Sequence, residues 1–323
     1  MSTGYYPYKN LVFEGGGVKG IAYGGALEIL EQSQITPQIE KVAGTSAGAI
    51  TATMVSLNYT AAEFIDIMMG LDFKKLEDGS DLGGPVRLIE RYGWFKGDYF
   101  LNLMQSYIKQ KAGDARVTFR DLKKMSRGFK DLYIFGTDLS QQTVQEFSYQ
   151  QTPDVAVADA VRISMSIPFF FEARHFEQDG QNNVYCDGGV LNNYPISTFD
   201  EQYTATDPET GHMMLHRTPN ATTLGFHLDN LDPQKPHPID NVRRFAGSVF
   251  DALLDIQDIL LKTNLGDERR TVFINDLGVK TTDFDLSDQM KWELIAQGRI
   301  ATSKYLNEPR QALPEIKRLL RRA

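Results

Sequence analysis

Gly44-Thr45-Ser46-Ala47-Gly48 reads G-x-S-x-G, and its flanks give the pentapeptide a structure. Lys41-Val42-Ala43 in front is a short apolar stretch able to close a buried strand. Ala49 to Leu57 behind is compact and helix-compatible. Strand, tight turn and helix form the context of a nucleophile elbow. The bend is so sharp that side chains at its two flanks would collide, so Gly44 and Gly48 carry none. Ser46 then stands at the tip with its hydroxyl presented. The following helix turns its free N–H groups and positive dipole end toward that oxygen, which favours negative charge developing there. A glycine-rich turn with a passenger serine uses the same five letters, so the elbow gains its force from the rest of the chain.

Upstream, Asn10 to Glu14 reads as a strand that runs into Gly15-Gly16-Gly17-Val18-Lys19-Gly20, followed by a helical pattern over Ile21 to Glu31. With the elbow strand this makes a β-α-β unit, whose crossover is right-handed and whose strands are parallel. Parallel strands place the triple glycine and the Ser46 turn at one carboxyl edge, where open α/β sheets carry their sites. A serine hydroxyl is a weak nucleophile that needs a base and an oxyanion hole. Gly15, Gly16 and Gly17 suit the second need, because glycine lets backbone N–H groups approach a substrate oxygen. The same residues satisfy a dinucleotide fingerprint, G-x-G-x-x-G. Against that reading, the next strand ends in the elbow and not in a ribose-binding acid. A P-loop is disfavoured because Gly20, not Ser or Thr, follows Lys19.

Composition sets the outer bounds. The chain has 323 residues, 41% hydrophobic and 24% charged, with a formal net charge of −8. That is an ordinary globular composition with no positive footprint for nucleic acid. The lone Cys186 excludes an internal disulfide and a cysteine zinc cluster. Met1 to Pro7 has no basic or apolar signal region, and no stretch approaches the ~18 apolar residues of a membrane span. The expected location is cytoplasmic, or exported without a classical signal peptide, and peripheral to membranes.

Along the chain, Thr60 to Glu63 has capping-box spacing and opens a helix to about Met69. Leu71 to Gly97 is a glycine-punctuated excursion with a short helix at Val86 to Arg91, and also a lid candidate. Asp98 to Lys111 and a short segment from Thr118 read as helices. Leu132 to Asp138 and Thr143 to Ser148 read as paired strands. Pro153-Asp154 is expected to cap a helix to Ser164, and Val184 to Cys186 to form a short strand. Thr222 to Leu228 and Thr271 to Asn275 complete the strands. Ile239 to Thr263, Ser287 to Leu306 and Glu315 to Arg322 complete the helices, the last with a basic face able to lie on an anionic membrane. The expectation is one α/β domain over 1–323 with a mostly parallel central sheet flanked by helices. Its motifs fall within about 8–200 and its C-terminal strands and helices within about 220–323.

The base is the remaining question. His212, His216 and His237 lie in polar or proline-rich stretches, His175 has no fixing context, and His227 sits inside a strand pattern. Asp187 follows a strand and precedes Gly188 and Gly189, so its carboxylate is presented at a strand end on a tightly turning backbone. Buried, it can take the Ser46 proton directly. No His, Cys or carboxylate group appears at metal-ligand spacing, and Glu77 to Asp81 lacks the closing Glu of a calcium loop.

Gly-Gly-Gly-x-Lys-Gly at 15–20, Gly-Thr-Ser-Ala-Gly at 44–48 and Asp-Gly-Gly at 187–189 resemble the three signatures of patatin-like phospholipases. Ser164-x-Ser166-x-Pro168 resembles a fourth block, and the resemblance covers about the first two hundred residues. The Phe13-to-Ala26 opening is most similar to the bacterial toxin and effector branch. The resemblance implies a phospholipid or lysophospholipid acyl hydrolase with a Ser-Asp dyad and no histidine, metal or other cofactor. Ser46 is then nucleophile, Asp187 base, and Gly15, Gly16, Gly17 and Val18 frame the oxyanion hole. A non-catalytic lipid-binding scaffold and a dinucleotide-binding oxidoreductase remain the alternatives. The expected partners are an acyl lipid and a membrane surface, with room for an activating protein.

Overall fold

Leu11 and Phe13 enter one hydrophobic core and Val12 another, and all three are fully buried. The neighbouring strands repeat the alternation: Val42 against Ala43, and Leu132 and Ile134 against Tyr133 and Phe135. A period of two with both faces apolar is what a sheet covered on both sides requires. In the computed structural model, which describes residues 6–80, 83–178, 180–206, 212–230, 238–262 and 264–308, that sheet forms the centre of a mixed α/β domain.

The strands are β1 (Asn10–Phe13), β2 (Lys41–Thr45), β3 (Gly93–Phe95), β4 (Asp131–Asp138), β5 (Thr143–Ser148), β6 (Phe169–Phe171), β7 (Arg174–Gln178), β8 (Gln181–Asp187), β9 (Glu201–Thr206), β10 (Met213–Thr218), β11 (Thr223–Asp229) and β12 (Thr271–Asn275). The helices are α1 (Tyr23–Gln32), α2 (Ala47–Ser56), α3 (Ala61–Gly70), α4 (Gly84–Arg91), α5 (Asp98–Ala112), α6 (Phe119–Lys124), α7 (Val157–Ser164), α8 (Val242–Lys262), α9 (Leu265–Glu268) and α10 (Asp288–Asn307). The sheet order is β12-β11-β1-β2-β4-β8-β7, with β5 also on β4. From β12 to β4 it is parallel, and β5, β8 and β7 join antiparallel. The larger core lies on the face covered by α1, α2 and α10. On the other face Val12, Ala43, Tyr133 and Phe135 meet Ile196, Phe199 and Leu261.

Register on β4 positions the site. β2 runs parallel to β4 and ends with Thr45 opposite Phe135. β8 runs antiparallel to β4 and ends with Asp187 opposite Gly136, the next residue along. Two strands from opposite directions therefore finish at adjacent steps of one template strand, and the residues at their tips meet.

Several expectations need correction. Pro153-Asp154 does not cap α7. A bridge between Thr118 and Ala156 and the Phe119 N–H bond to Val155 O hold 155–156 extended, so the helix starts at Val157. Asp154 pairs with Arg120 at 2.7 Å instead. The expected short strand at Val184 is the last part of β8, half of an antiparallel hairpin with β7. The 71–97 excursion carries its expected short helix as α4, and its described residues are anchored: Phe73, Leu76 and Phe95 are buried, Asp78 accepts the Gly97 and Tyr99 N–H groups, and β3 pairs with β6. The expected terminal helix over 315–322 and His237 lie outside the described residues.

Candidate active site

Gly44 and Gly48 meet across the elbow. A Cβ on Gly44 would stand 2.2 Å from Gly48 O, and one on Gly48 would stand 2.2 Å from Phe13 O. Between them Ser46 has φ 52° and ψ −122°, a strained region for a residue with a side chain, at a cost of about 1–3 kcal/mol. The strain is held by the surroundings. The Ser46 N–H donates to Ser164 Oγ at 2.8 Å, and that hydroxyl donates in turn to Phe135 O on β4. Thr45 Oγ1 donates to Asn192 O at 2.9 Å, tying the elbow strand to the loop after Asp187.

The Ser46 hydroxyl donates to Asp187 Oδ2 at 2.8 Å, and Met165 Sδ lies 3.7 Å from Ser46 Oγ. The other carboxylate oxygen, Oδ1, accepts the Gly189 N–H at 2.7 Å. Thr137 Oγ1 donates to Asp187 O, and the Asp187 N–H donates to Ser166 O. Both members are closed off: Ser46 is 1% exposed and Asp187 0%. Burial pushes the Asp187 carboxyl up to about 7, against the Gly189 and Ser46 hydrogen bonds that draw it down. At neutral pH it can therefore both take and return a proton.

The glycine loop lies against the nucleophile candidate, since a Cβ on Gly15 would stand 3.1 Å from Ser46 Cβ. Two of the four expected oxyanion positions already spend their N–H groups: Gly15 on Asn193 O at 3.0 Å and Val18 on Thr281 O at 3.3 Å. This narrows the expected donors to Gly16 and Gly17. Behind the loop, Glu14 is buried. Its Oε1 accepts from Asn193 Nδ2 at 2.9 Å and its Oε2 from the Leu228 N–H at 2.7 Å. Asn193 Nδ2 also donates to Gly15 O, so one side chain holds two consecutive residues at the start of the glycine loop.

His227 does not reach the dyad. Its Nε2 lies 3.0 Å from Asp258 Oδ1 and 3.3 Å from Glu14 Oε1, inside the protein. Burial alone would push the imidazole down, but the two carboxylates outweigh it and raise its pKa. Glu14, His227 and Asp258 bring ligand-type atoms within 4.8 Å of one another, a grouping that sequence spacing does not reveal. The imidazole's position between two carboxylates accounts for their closeness. Lys19 is engaged by Asp276 at 2.9 Å. Burial pushes the Cys186 thiol far up, in keeping with a packed strand residue.

Residues 11–200 match the family model of the patatin-like phospholipases. The chain belongs to the patatin-like phospholipase family. It is therefore a lipid hydrolase by family. The protein YqhO of Bacillus subtilis is 32% identical over 314 residues, covering 93% of this chain and 99% of YqhO. A probable lipid hydrolase, 463L, of invertebrate iridescent virus 6 is 27% identical over 190 residues, covering 58% of this chain and 62% of 463L. Among solved structures, VipD of Legionella pneumophila superposes with a TM-score of 0.63 at 18% identity, over 93% of this chain and 66% of VipD. At that identity the likeness is one of fold.

The family's motifs account for the loop, the elbow and the Asp187 turn, but not for the residues that brace them. Ser164 holds the elbow N–H, and Arg162 holds Ser166 Oγ at 2.6 Å and Gly97 O at 3.0 Å. Gln257 on α8 donates to Gly189 O and accepts from the Asn193 N–H, each at 2.8 Å. The fourth block was legible as a motif, but its bracing role was not. Of the three phenylalanines after it, Phe170 and Phe171 are core and Phe169 is exposed.

Proposed function

We propose that this chain hydrolyses carboxylic ester bonds of phospholipids or lysophospholipids through a Ser46–Asp187 dyad. The observation that carries the reading is the 2.8 Å hydrogen bond between Ser46 Oγ and Asp187 Oδ2, made where β2 and β8 end on β4. Asp187 takes the hydroxyl proton as Oγ attacks the ester carbonyl carbon. The Gly16 and Gly17 N–H groups receive the negative oxygen of the tetrahedral intermediate. Collapse breaks the bond to the leaving alcohol, which takes the proton from Asp187 and departs, leaving acyl-Ser46. Water then attacks, giving its proton to Asp187, and the fatty acid leaves as Oγ regains that proton. No step in this cycle calls for histidine or a metal. The Glu14–His227–Asp258 cluster serves to position the glycine loop through Asn193. No helix of the described residues is long and apolar enough to cross a membrane.

The test is turnover of a phospholipid and lysophospholipid panel, read as released fatty acid by mass spectrometry. Ser46→Ala and Asp187→Asn should each lower kcat by about a thousandfold or more. His227→Ala that folds should still turn over. A folded Ser46→Ala variant with more than a few per cent of wild-type turnover would remove the dyad from the mechanism.

A further inference from the structure

Helix α8 has an inner side that belongs to the site and an outer side that is bare. On the inner side Gln257 holds the Gly189 turn and the Asn193 N–H, while Asp258 holds His227 and, through it, Glu14 beside the glycine loop. Phe250 packs there against Gly189. On the outer side Val242, Phe245, Val249, Leu253, Ile256 and Ile259 recur at spacings of three and four and are all exposed, Phe245 and Ile256 at 59% and Ile259 at 64%. At 100° per residue this arc carries no ionisable side chain over a helix of roughly 30 Å. Large exposed apolar patches mark interaction surfaces.

The surface continues off the helix. α8 packs on β6 and on the turn after Asp187, where Phe169 is 52% and Leu191 45% exposed. Exposed apolar side chains thus lie on α8 and at two elements it packs against. The exposed arc carries no charge of its own, and the charges on the rest of α8 balance, Arg243, Arg244 and Lys262 against Asp251, Asp255 and Asp258. Such a face complements a neutral apolar phase and offers an anionic surface no net attraction.

We propose that the outer face of α8 is the surface by which this protein seats on a zwitterionic phospholipid bilayer, lying in the plane of its interface. The proposal rests on the acyl-lipid reading above for the choice of a bilayer over a second protein copy. A helix of this kind sinks about 5–10 Å into the headgroup boundary.

Flotation with phosphatidylcholine vesicles tests it, alongside hydrolysis of soluble p-nitrophenyl butyrate and light scattering. Phe245→Glu with Ile256→Glu should lower vesicle partitioning at least tenfold. Turnover of the soluble ester should stay within about twofold, and wild-type partitioning should be unaffected by salt. An Ile259→Trp variant covers the case in which the double variant does not fold: its fluorescence should be quenched by brominated phosphatidylcholine. Unchanged partitioning of the folded double variant, no wild-type partitioning, or no quenching at position 259 would each overturn the proposal. A wild-type dimer that the double variant dissociates, with partitioning unaltered, would assign the face to a second copy instead. α8-dependent vesicle binding with no ester turnover at all would leave the docking surface standing and sink the hydrolase reading.

Discussion

Asp187 carries the most consequential ionisation in the molecule. Fully buried, it costs free energy to charge, and only the Gly189 N–H and the Ser46 hydroxyl oppose that cost. Its carboxyl is pushed up to about 7, so the base form is scarce below that pH and dominant above it. If Asp187 is the base, kcat/KM on a soluble ester should rise about tenfold per pH unit below 7 and level off above it. A profile flat from pH 5.5 to 8.5 would contradict that role. The two members of the proposed dyad were legible as candidates, because Ser46 and Asp187 each sit in a turn whose glycines are written beside them. The bracing residues were not. Ser164 meets Ser46 across 118 positions and Gln257 meets Gly189 across 68. Ser164 stands in a block the sequence shows, yet its letters do not name a partner that far away, and Gln257 looks like any other glutamine. The same holds for Asn193, which proves to hold the start of the glycine loop.

At the scale of elements, strand β4 does the organising. It accepts β2 along one stretch of residues and β8 at the next, which is why a parallel and an antiparallel strand deliver their last residues to one point. The elbow depends on close backbone approach there. Gly48→Ala would drive a Cβ to 2.2 Å from Phe13 O, with no flexible side chain able to yield. It should destabilise the fold by about 3 kcal/mol or more, read as a fall in denaturant midpoint or as insoluble expression. A soluble variant with an unchanged midpoint would show that the elbow is looser than its geometry. Apolar strands and capped helices were legible: the capping box at Thr60 forms as spaced, and the short helix expected from Thr118 opens on a capping box of its own. The strands missed, β3, β6, β7, β9 and β10, are short or polar, and their pairing comes from tertiary neighbours. The antiparallel arrival of β8 was equally hidden, since hydrophobic alternation says nothing about direction.

Across the whole molecule, the site is closed and its surroundings are asymmetric. Ser46 and Asp187 are buried beneath elements braced by α8, whose outer face is apolar and exposed. A lipid hydrolase by family has reason to keep its nucleophile covered until a lipid surface is met, because a dry site strengthens each electrostatic contact within it. Whether Ser46 is that nucleophile is the claim on which the rest depends. The direct measurement is peptide mass spectrometry after treatment with an alkyl fluorophosphonate, which forms a stable bond to an activated serine oxygen. The account predicts one adduct, on the peptide carrying Ser46. It should be absent in Ser46→Ala and formed at least a hundredfold more slowly in Asp187→Asn. An adduct on another residue, or ester turnover that continues with Ser46 unmodified at saturating reagent, would contradict it.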